Sequence, residues 1–392
     1  MGSRLLIKGG DVITPKKILR DHSIVIENDK IVGIIPGKIT IDDCQSISAD
    51  GLYISPGFID LHLHGGNGSD FMDATVEDIQ KIIRYHTQGG TTGLLATTAS
   101  ESHQNIMNAI QALDQARRPM AGAKLLGIHI EGPYFNHSKR GCHLASAIRN
   151  PQPEDYLPIL EATDLIRLMT LAPEIDGGDQ LISELSRRGI VASCGHTNAS
   201  YRQIRKACEL GLQHSTHLYC AMSGIIKNGP QREGGVIEST LLIDQLTTEV
   251  IADGHHLPPE LLKLAVKCKG PDRLAVVTDA QRGAGMPDGI YAFGSKNGTK
   301  SVVKNGVATT PDNTGYASST IQMNQTIRVM RDLADVPLVE ATKMASLVPA
   351  RIIGVDDQLG SLEVGKVADL VLFDQTIDVH KVVINGKLIE NI

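Results

Sequence analysis

A chain of 392 residues, 41% hydrophobic and 21% charged, has material for a large buried core and the balance of an ordinary globular protein. Its net charge of −6 and the lack of any Lys or Arg run exclude a nucleic-acid surface. No apolar window reaches membrane-spanning length or forms a signal core, and the six cysteines stand singly, the pattern of a reduced, cytoplasmic protein.

Residues 5–54 carry short alternating runs, Leu5–Ile7, Ser23–Glu27, Lys30–Ile35 and Leu52–Ile54, with Asn28-Asp29 placed as a hairpin turn. The C-terminus has the same texture, in Ala368–Phe373 and in Val382–Lys387 around an Asn-Gly turn. Neither segment is long enough to bury a core alone. The two ends are therefore expected to pair into one small β-sandwich domain, residues 1–55 plus 358–392, bracketing residues 56–357.

Between the ends the period changes. Apolar runs of strand length occur at Phe58–His64, Gly93–Thr98, Leu125–Glu131, Ile166–Ala172, Ile190–Gly195, His214–Leu218, Glu249–Ala252 and Leu274–Thr278. They alternate with stretches of helical spacing such as Val76–Gln88, Gln104–Ala116, Gln180–Arg188, Tyr201–Leu210 and Pro259–Cys268. Eight such units predict an α/β fold, a (β/α)₈ barrel. An open doubly wound sheet would place a Gly-rich phosphate turn after its first strand, and none is there.

Catalytic groups of such barrels gather at the C-terminal ends of the strands. Here those ends read His62-Leu63-His64, His129-Ile130-Glu131, His196, His217, Asp253-Gly254-His255-His256 and Asp279. Residues two apart on a strand share a face, so His62 and His64 project together, placed to hold one metal ion. Each group has a plain reading by itself: His129 as a satisfied core histidine, His86 and His214 as structural or exposed, Cys194 and Cys220 as packing. Fourteen histidines scattered at random would not concentrate so at strand ends. The set points to a metal site.

At these positions the chain resembles a known family. His129-Ile130-Glu131-Gly132-Pro133-Tyr134, Gly195-His196-Thr197-Asn198-Ala199, His217-Leu218-Tyr219-Cys220-Ala221-Met222 and Val277-Thr278-Asp279-Ala280 resemble the N-acetylglucosamine-6-phosphate deacetylases of the amidohydrolase superfamily. Pro349-Ala350-Arg351, Gly360–Lys366 and Ala368–Val371 fit the same family. Hydantoinase-like relatives carry a carboxylated Lys after strand four. Here that strand reads Arg167–Glu174 with no Lys at its end, and Glu131 is the substitute.

The resemblance implies that Glu131, His196 and His217 ligate a divalent metal and that His62 and His64 supply a second position, for one or two ions. The mixed nitrogen and oxygen set suits Zn²⁺ first, with Fe²⁺ or Mn²⁺ admissible. It further implies hydrolysis of the acetamide of an N-acetylhexosamine 6-phosphate by a hydroxide generated on the metal. Asp279 would serve as general base and then acid, and His143 as oxyanion stabiliser. N-acetylglucosamine 6-phosphate is the first candidate substrate; N-acetylgalactosamine 6-phosphate or another N-acyl compound is the alternative. A catalytically silent barrel kept for binding is disfavoured, because such a barrel has no need of Asp279.

Substrate contacts fall by resemblance on Cys142, His143, Cys220, Ala221, Arg232, His256, Tyr316, Ala317 and Ser318. Arg232 and His256 would meet the phosphate, with His255 as a substitute for His256. In the family the arginine reaches across from a second subunit, which implies a homodimer. Three departures fall at these contacts: Cys220 for the usual Asn, Gly234 for Pro, and Tyr316-Ala317-Ser318-Ser319 for Leu-Ala-Gly-Ser.

Overall fold

The computed structural model describes residues 3–117 and 120–390; residues 1, 2, 391 and 392 of the expected terminal unit lie outside this range. Eight parallel strands pair in chain order, Phe58–Leu63, Thr91–Thr98, Lys124–Glu131, Ile166–Leu171, Val191–Cys194, Leu212–Ser215, Thr247–Ile251 and Leu274–Val277. They form the expected barrel. The sixth strand begins and ends earlier than its apolar run suggested, because His217 has left-handed backbone (φ 33°) and cannot continue a strand.

The first and eighth strands meet at a seam made largely by one side chain. Asp60 Oδ2 accepts the Thr278 hydroxyl at 2.6 Å, and Oδ1 accepts the Thr278 and His62 N–H groups at 3.3 Å each. Above it, Asp279 N–H donates to the His62 carbonyl and His64 N–H to the Ala280 carbonyl, both at 2.8 Å. The seam therefore sets His62, His64 and Asp279 side by side. Burial pushes the Asp60 carboxyl up to about 7 despite these hydrogen bonds.

The outer helices follow from local sequence. Val76–Gln88 starts where Thr75 Oγ1 accepts the Asp78 N–H at 3.1 Å, carries Glu77 and Asp78 in its first turn, and buries Ile79, Ile82, Ile83 and His86. Buried aliphatic side chains of this kind contribute roughly 1.5–3 kcal/mol each. His86 is fully enclosed, its Nε2 on the Gly65 carbonyl at 2.9 Å, and burial holds its pKa down at about 4. Its role is structural.

The chain ends build one branched sheet. Arg4–Ile13, Ile18–Glu27, Lys30–Pro36, Gln45–Ser48 and Tyr53–Pro56 join Leu370–Phe373, Val379–Ile384 and Lys387–Leu388, with Tyr53–Pro56 antiparallel to Leu370–Phe373. Leu5, Ile7, Ile24, Ile26, Ile31 and Ile54 from the N-terminal part share a core with Leu370, Leu372 and Val383 from the C-terminal part. Two-residue turns at Asn28-Asp29 and Asn385-Gly386 close its hairpins, and Asn28, Asn385 and Gly386 take the positive φ that such turns need.

One element was not foreseen. Gly289–Phe293, Thr299–Lys304 and Val307–Thr309 form a three-stranded sheet after the eighth barrel strand. Arg282 clamps it down: its guanidinium pairs with both Asp73 oxygens at 2.5 and 2.9 Å and donates to the Ala292 and Gly294 carbonyls. The clamp sets the buried Phe293 ring 4.8 Å from the His64 ring and 5.2 Å from that of His143.

Candidate metal centre

His196 (φ 49°), His217 (φ 33°) and Asp279 (φ 47°) all sit in left-handed backbone just past their strands. Non-glycine residues held there cost about 1–3 kcal/mol each, and such residues cluster at functional sites. The kinks turn His196 and His217 toward Glu131, which ends the third strand, and Asp279 toward His62 and His64. His196 Nε2 and His217 Nε2 lie 3.2 Å from Glu131 Oε1, and His62 Nε2 lies 3.4 Å from it. His64 Nε2 and His143 Nε2 stand 3.2 and 3.1 Å from Oε2. Asp279 Oδ1 is 3.3 Å from His64 Nε2 and 3.5 Å from His62 Nε2. All seven side chains are buried.

For two of the rings, His62 and His196, a hydrogen bond on the far side fixes a proton on Nδ1. His62 Nδ1 faces the Glu249 carboxylate at 2.7 Å and His196 Nδ1 faces the Lys139 carbonyl at 2.8 Å. Both partners only accept, so both Nδ1 atoms carry hydrogen and Nε2 is the nitrogen each ring turns inward. Burial keeps that of His196 bare. On His62 burial opposes charge, but Glu131, Asp279 and Glu249 hold the pKa well above its ordinary value, so a cation takes the place of a proton there. His196 and His217 nevertheless hold their Nε2 atoms 3.1 Å apart, and the buried Glu131 Oε2 and Asp279 Oδ1 accept no aligned hydrogen bond. Lone pairs and carboxylate oxygens converging in this way repel one another unless a cation lies among them. The residues present fit a divalent metal.

His143 differs from the others. Its Nδ1 accepts the Ser100 N–H at 3.1 Å, so its Nε2 bears the hydrogen and points into the site as a donor. That is the form of an oxyanion partner rather than of a ligand.

The electrostatics agree. Burial opposes charge on Glu131, yet His62 and His143 hold its pKa well below the usual carboxylate range. Burial likewise opposes charge on Asp279, and His62 and His64 keep it low. Burial would depress His64, but the neighbouring Asp279 and Glu131 carboxylates lift it to about 9. For His196 burial wins, and it stays near 4, neutral and able to ligate. The pocket is negative enough to attract a cation.

A cavity of about 350 Å³ opens over this cluster, with Lys139, Cys142, Cys220, Ala221, His256, Tyr316 and Ser318 in its wall. His256 Nδ1–H donates to Asp253 at 2.7 Å and its ring lies 4.5 Å from that of Tyr316. His255 is exposed, so the alternative to His256 falls away. Ala317 is fully buried behind Tyr316 and Ser318 and does not line the cavity. Arg232 lies outside it, on an exposed hairpin of Ile226–Asn228 and Gln231–Glu233, donating to the hairpin's own carbonyls. His129 is a core histidine, satisfied by the hydroxyls of Thr97 and Thr170, and Cys194 is buried in the apolar core.

The sequence reading missed the outer supports. His214, read as structural or exposed, is fully buried and bonds Glu249 Oε2 at 3.3 Å, while Glu249 Oε1 holds His62. The signal was available. Thr247, Glu249 and Ile251 share one face of the seventh strand, and an acid on a barrel strand's inner face needs a buried partner.

The amidohydrolase family model matches residues 53–389. The N-acetylglucosamine-6-phosphate deacetylase of Bacillus subtilis is 35% identical, with 99% of this chain and 98% of that protein covered. The N-acetylgalactosamine-6-phosphate deacetylase of Escherichia coli O157:H7 is 32% identical, with 98% of each covered. Among solved structures, a mutant N-acetyl-D-glucosamine-6-phosphate deacetylase from Mycobacterium smegmatis in complex with N-acetyl-D-glucosamine-6-phosphate superposes with a TM-score of 0.91, at 30% identity and 100% coverage of both chains. The chain therefore belongs to the amidohydrolase family, among the N-acetylglucosamine-6-phosphate deacetylases.

Proposed function

We propose that the protein hydrolyses the acetamide of an N-acetylhexosamine 6-phosphate, N-acetylglucosamine 6-phosphate first, to acetate and the amino sugar phosphate. The observation that carries this is the convergence of imidazole nitrogens on Glu131 beside an Asp279 oxygen that accepts no hydrogen bond. Glu131, His196 and His217, with His62 and His64 adjacent, would hold a divalent cation, which when bound would supply Lewis acidity and lower the pKa of water from about 15.7 to about 7. Zn²⁺ is our first choice for this nitrogen and oxygen set.

Asp279 takes the proton of the attacking water: His62 and His64 keep it ionised against burial, and Oδ1 is open. It then delivers that proton to the departing amine. His143 Nε2–H donates to the acetamide oxygen as negative charge develops there. His256, whose Nδ1 is tied to Asp253, presents its other nitrogen to the cavity on the phosphate side. Arg232 does not reach its own cavity, which supports a homodimer in which each subunit lends its arginine to the other. The barrel unit, residues 56–357, would carry the site and the paired chain ends would stiffen it. A cytoplasmic setting is supported by six free cysteines, and no helix among the described residues is long and apolar enough to cross a membrane.

A second reading, the galacto epimer, is supported by the 32% identical relative named N-acetylgalactosamine-6-phosphate deacetylase, and Cys220 and Tyr316, two departures from the family pattern, stand in the cavity wall. Both readings share the phosphate. Charge-assisted hydrogen bonds to it are worth roughly 1.5–3 kcal/mol each, so its loss is expected to lower kcat/KM by about 10²-fold or more. Steady-state rates on both epimers, with and without the 6-phosphate, in wild type and Arg232→Ala, test this. Equal kcat/KM for phosphorylated and free sugars in wild type would leave the deacylase chemistry standing and remove the sugar-phosphate assignment.

A further inference from the structure

We propose that Glu249 is a positioning residue for the metal centre, holding two of its imidazoles in register from behind the His62 ring. It is fully buried and makes three contacts. Oε1 accepts the His62 Nδ1–H at 2.7 Å and the backbone N–H of His217 at 3.3 Å, and Oε2 faces His214 Nε2 at 3.3 Å. His214 is braced in turn by the Thr247 hydroxyl at 2.8 Å.

Each contact has a separate consequence. The first fixes a hydrogen on His62 Nδ1, which makes Nε2, aimed at Glu131, the nitrogen offered to a metal. The second holds the left-handed turn at His217, and with it the direction of that ring, 3.2 Å from the same Glu131 oxygen. The third keeps the carboxylate from rotating away. One side chain on the seventh strand thus aligns groups on the first and sixth strands. Carboxylates behind ligating histidines raise metal affinity by orienting the ring and strengthening its lone pair, typically by about 10–100-fold.

The inference rests on the metal-centre reading given above, and the test separates the two. Purified full-length protein is stripped with a chelator and titrated with Zn²⁺ alone in a competing-chelator buffer, and Tm is recorded for the stripped and loaded forms. Glu249→Ala is expected to bind Zn²⁺ about 10–100-fold more weakly than wild type and to lose most of the rise in Tm on loading. Glu249→Gln is expected to recover much of the affinity, because its amide oxygen still accepts the His62 Nδ1–H. Wild-type affinity in Glu249→Ala would overturn the inference while leaving the metal centre standing. Equal loss in Glu249→Ala and Glu249→Gln would also overturn it, placing the effect in charge rather than orientation. Failure of wild type to bind Zn²⁺ would overturn the metal reading itself. If Glu249→Ala does not fold, Glu249→Asp, which withdraws the carboxylate by one methylene, takes its place with the same expected loss and the same overturning result.

Discussion

Stripping the divalent metal from the protein is expected to abolish hydrolysis, and adding Zn²⁺, Fe²⁺ or Mn²⁺ to the stripped protein is expected to restore it. The size of the effect follows from the chemistry of water. A drop in its pKa from about 15.7 to about 7 corresponds to roughly 12 kcal/mol at 1.36 kcal/mol per unit. Asp279 cannot supply that by itself, since its low pKa makes it a weak base toward free water. His143 donates a hydrogen rather than withdrawing one. Turnover by protein shown to be metal-free by elemental analysis would contradict the mechanism outright.

Asp279→Asn is expected to lower kcat by about 10² to 10⁴ while substrate binding persists. The amide keeps the shape of the carboxylate and its place beside His64, but it cannot take up the proton of the attacking water. It also removes a negative group from a buried pocket, so metal content has to be measured in the same preparation. A variant that is fully loaded and retains near-normal kcat would mean that another group is the base. The fall should appear in kcat rather than in KM, because Asp279 acts on the moving proton and not on the bound sugar.

Much of this site is legible in the chain because strand ends expose chemistry in a short reading frame. His62 and His64 alternate on one strand, and Glu131, His196, His217 and Asp279 each follow an apolar run directly. The helices declare themselves in the same way, as Ile79, Ile82, Ile83 and His86 do on Val76–Gln88. What escapes the sequence depends on long-range geometry. Asp60 and Thr278 are 218 residues apart and Arg282 and Asp73 are 209 apart, yet the first pair closes the barrel and the second seats Phe293 against the site. The three-stranded sheet that carries Phe293 has short, half-exposed strands among Gly, Asp and Lys, so its local text reads as loop. Glu249 is legible as an inward-facing acid that needs a buried partner, but its partner His62 lies 187 residues away and nothing local names it. The left-handed turns at His196, His217 and Asp279 are likewise unreadable, since non-glycine residues seldom adopt them without tertiary support.

The most direct test of the central claim is acetate release from N-acetylglucosamine 6-phosphate by Zn²⁺-loaded protein, followed together with formation of the free amino sugar phosphate. The account predicts one acetate per amine formed, turnover that stops on chelation, and little turnover with Asp279→Asn. Metal-loaded protein that releases no acetate from either the gluco or the galacto 6-phosphate would contradict it.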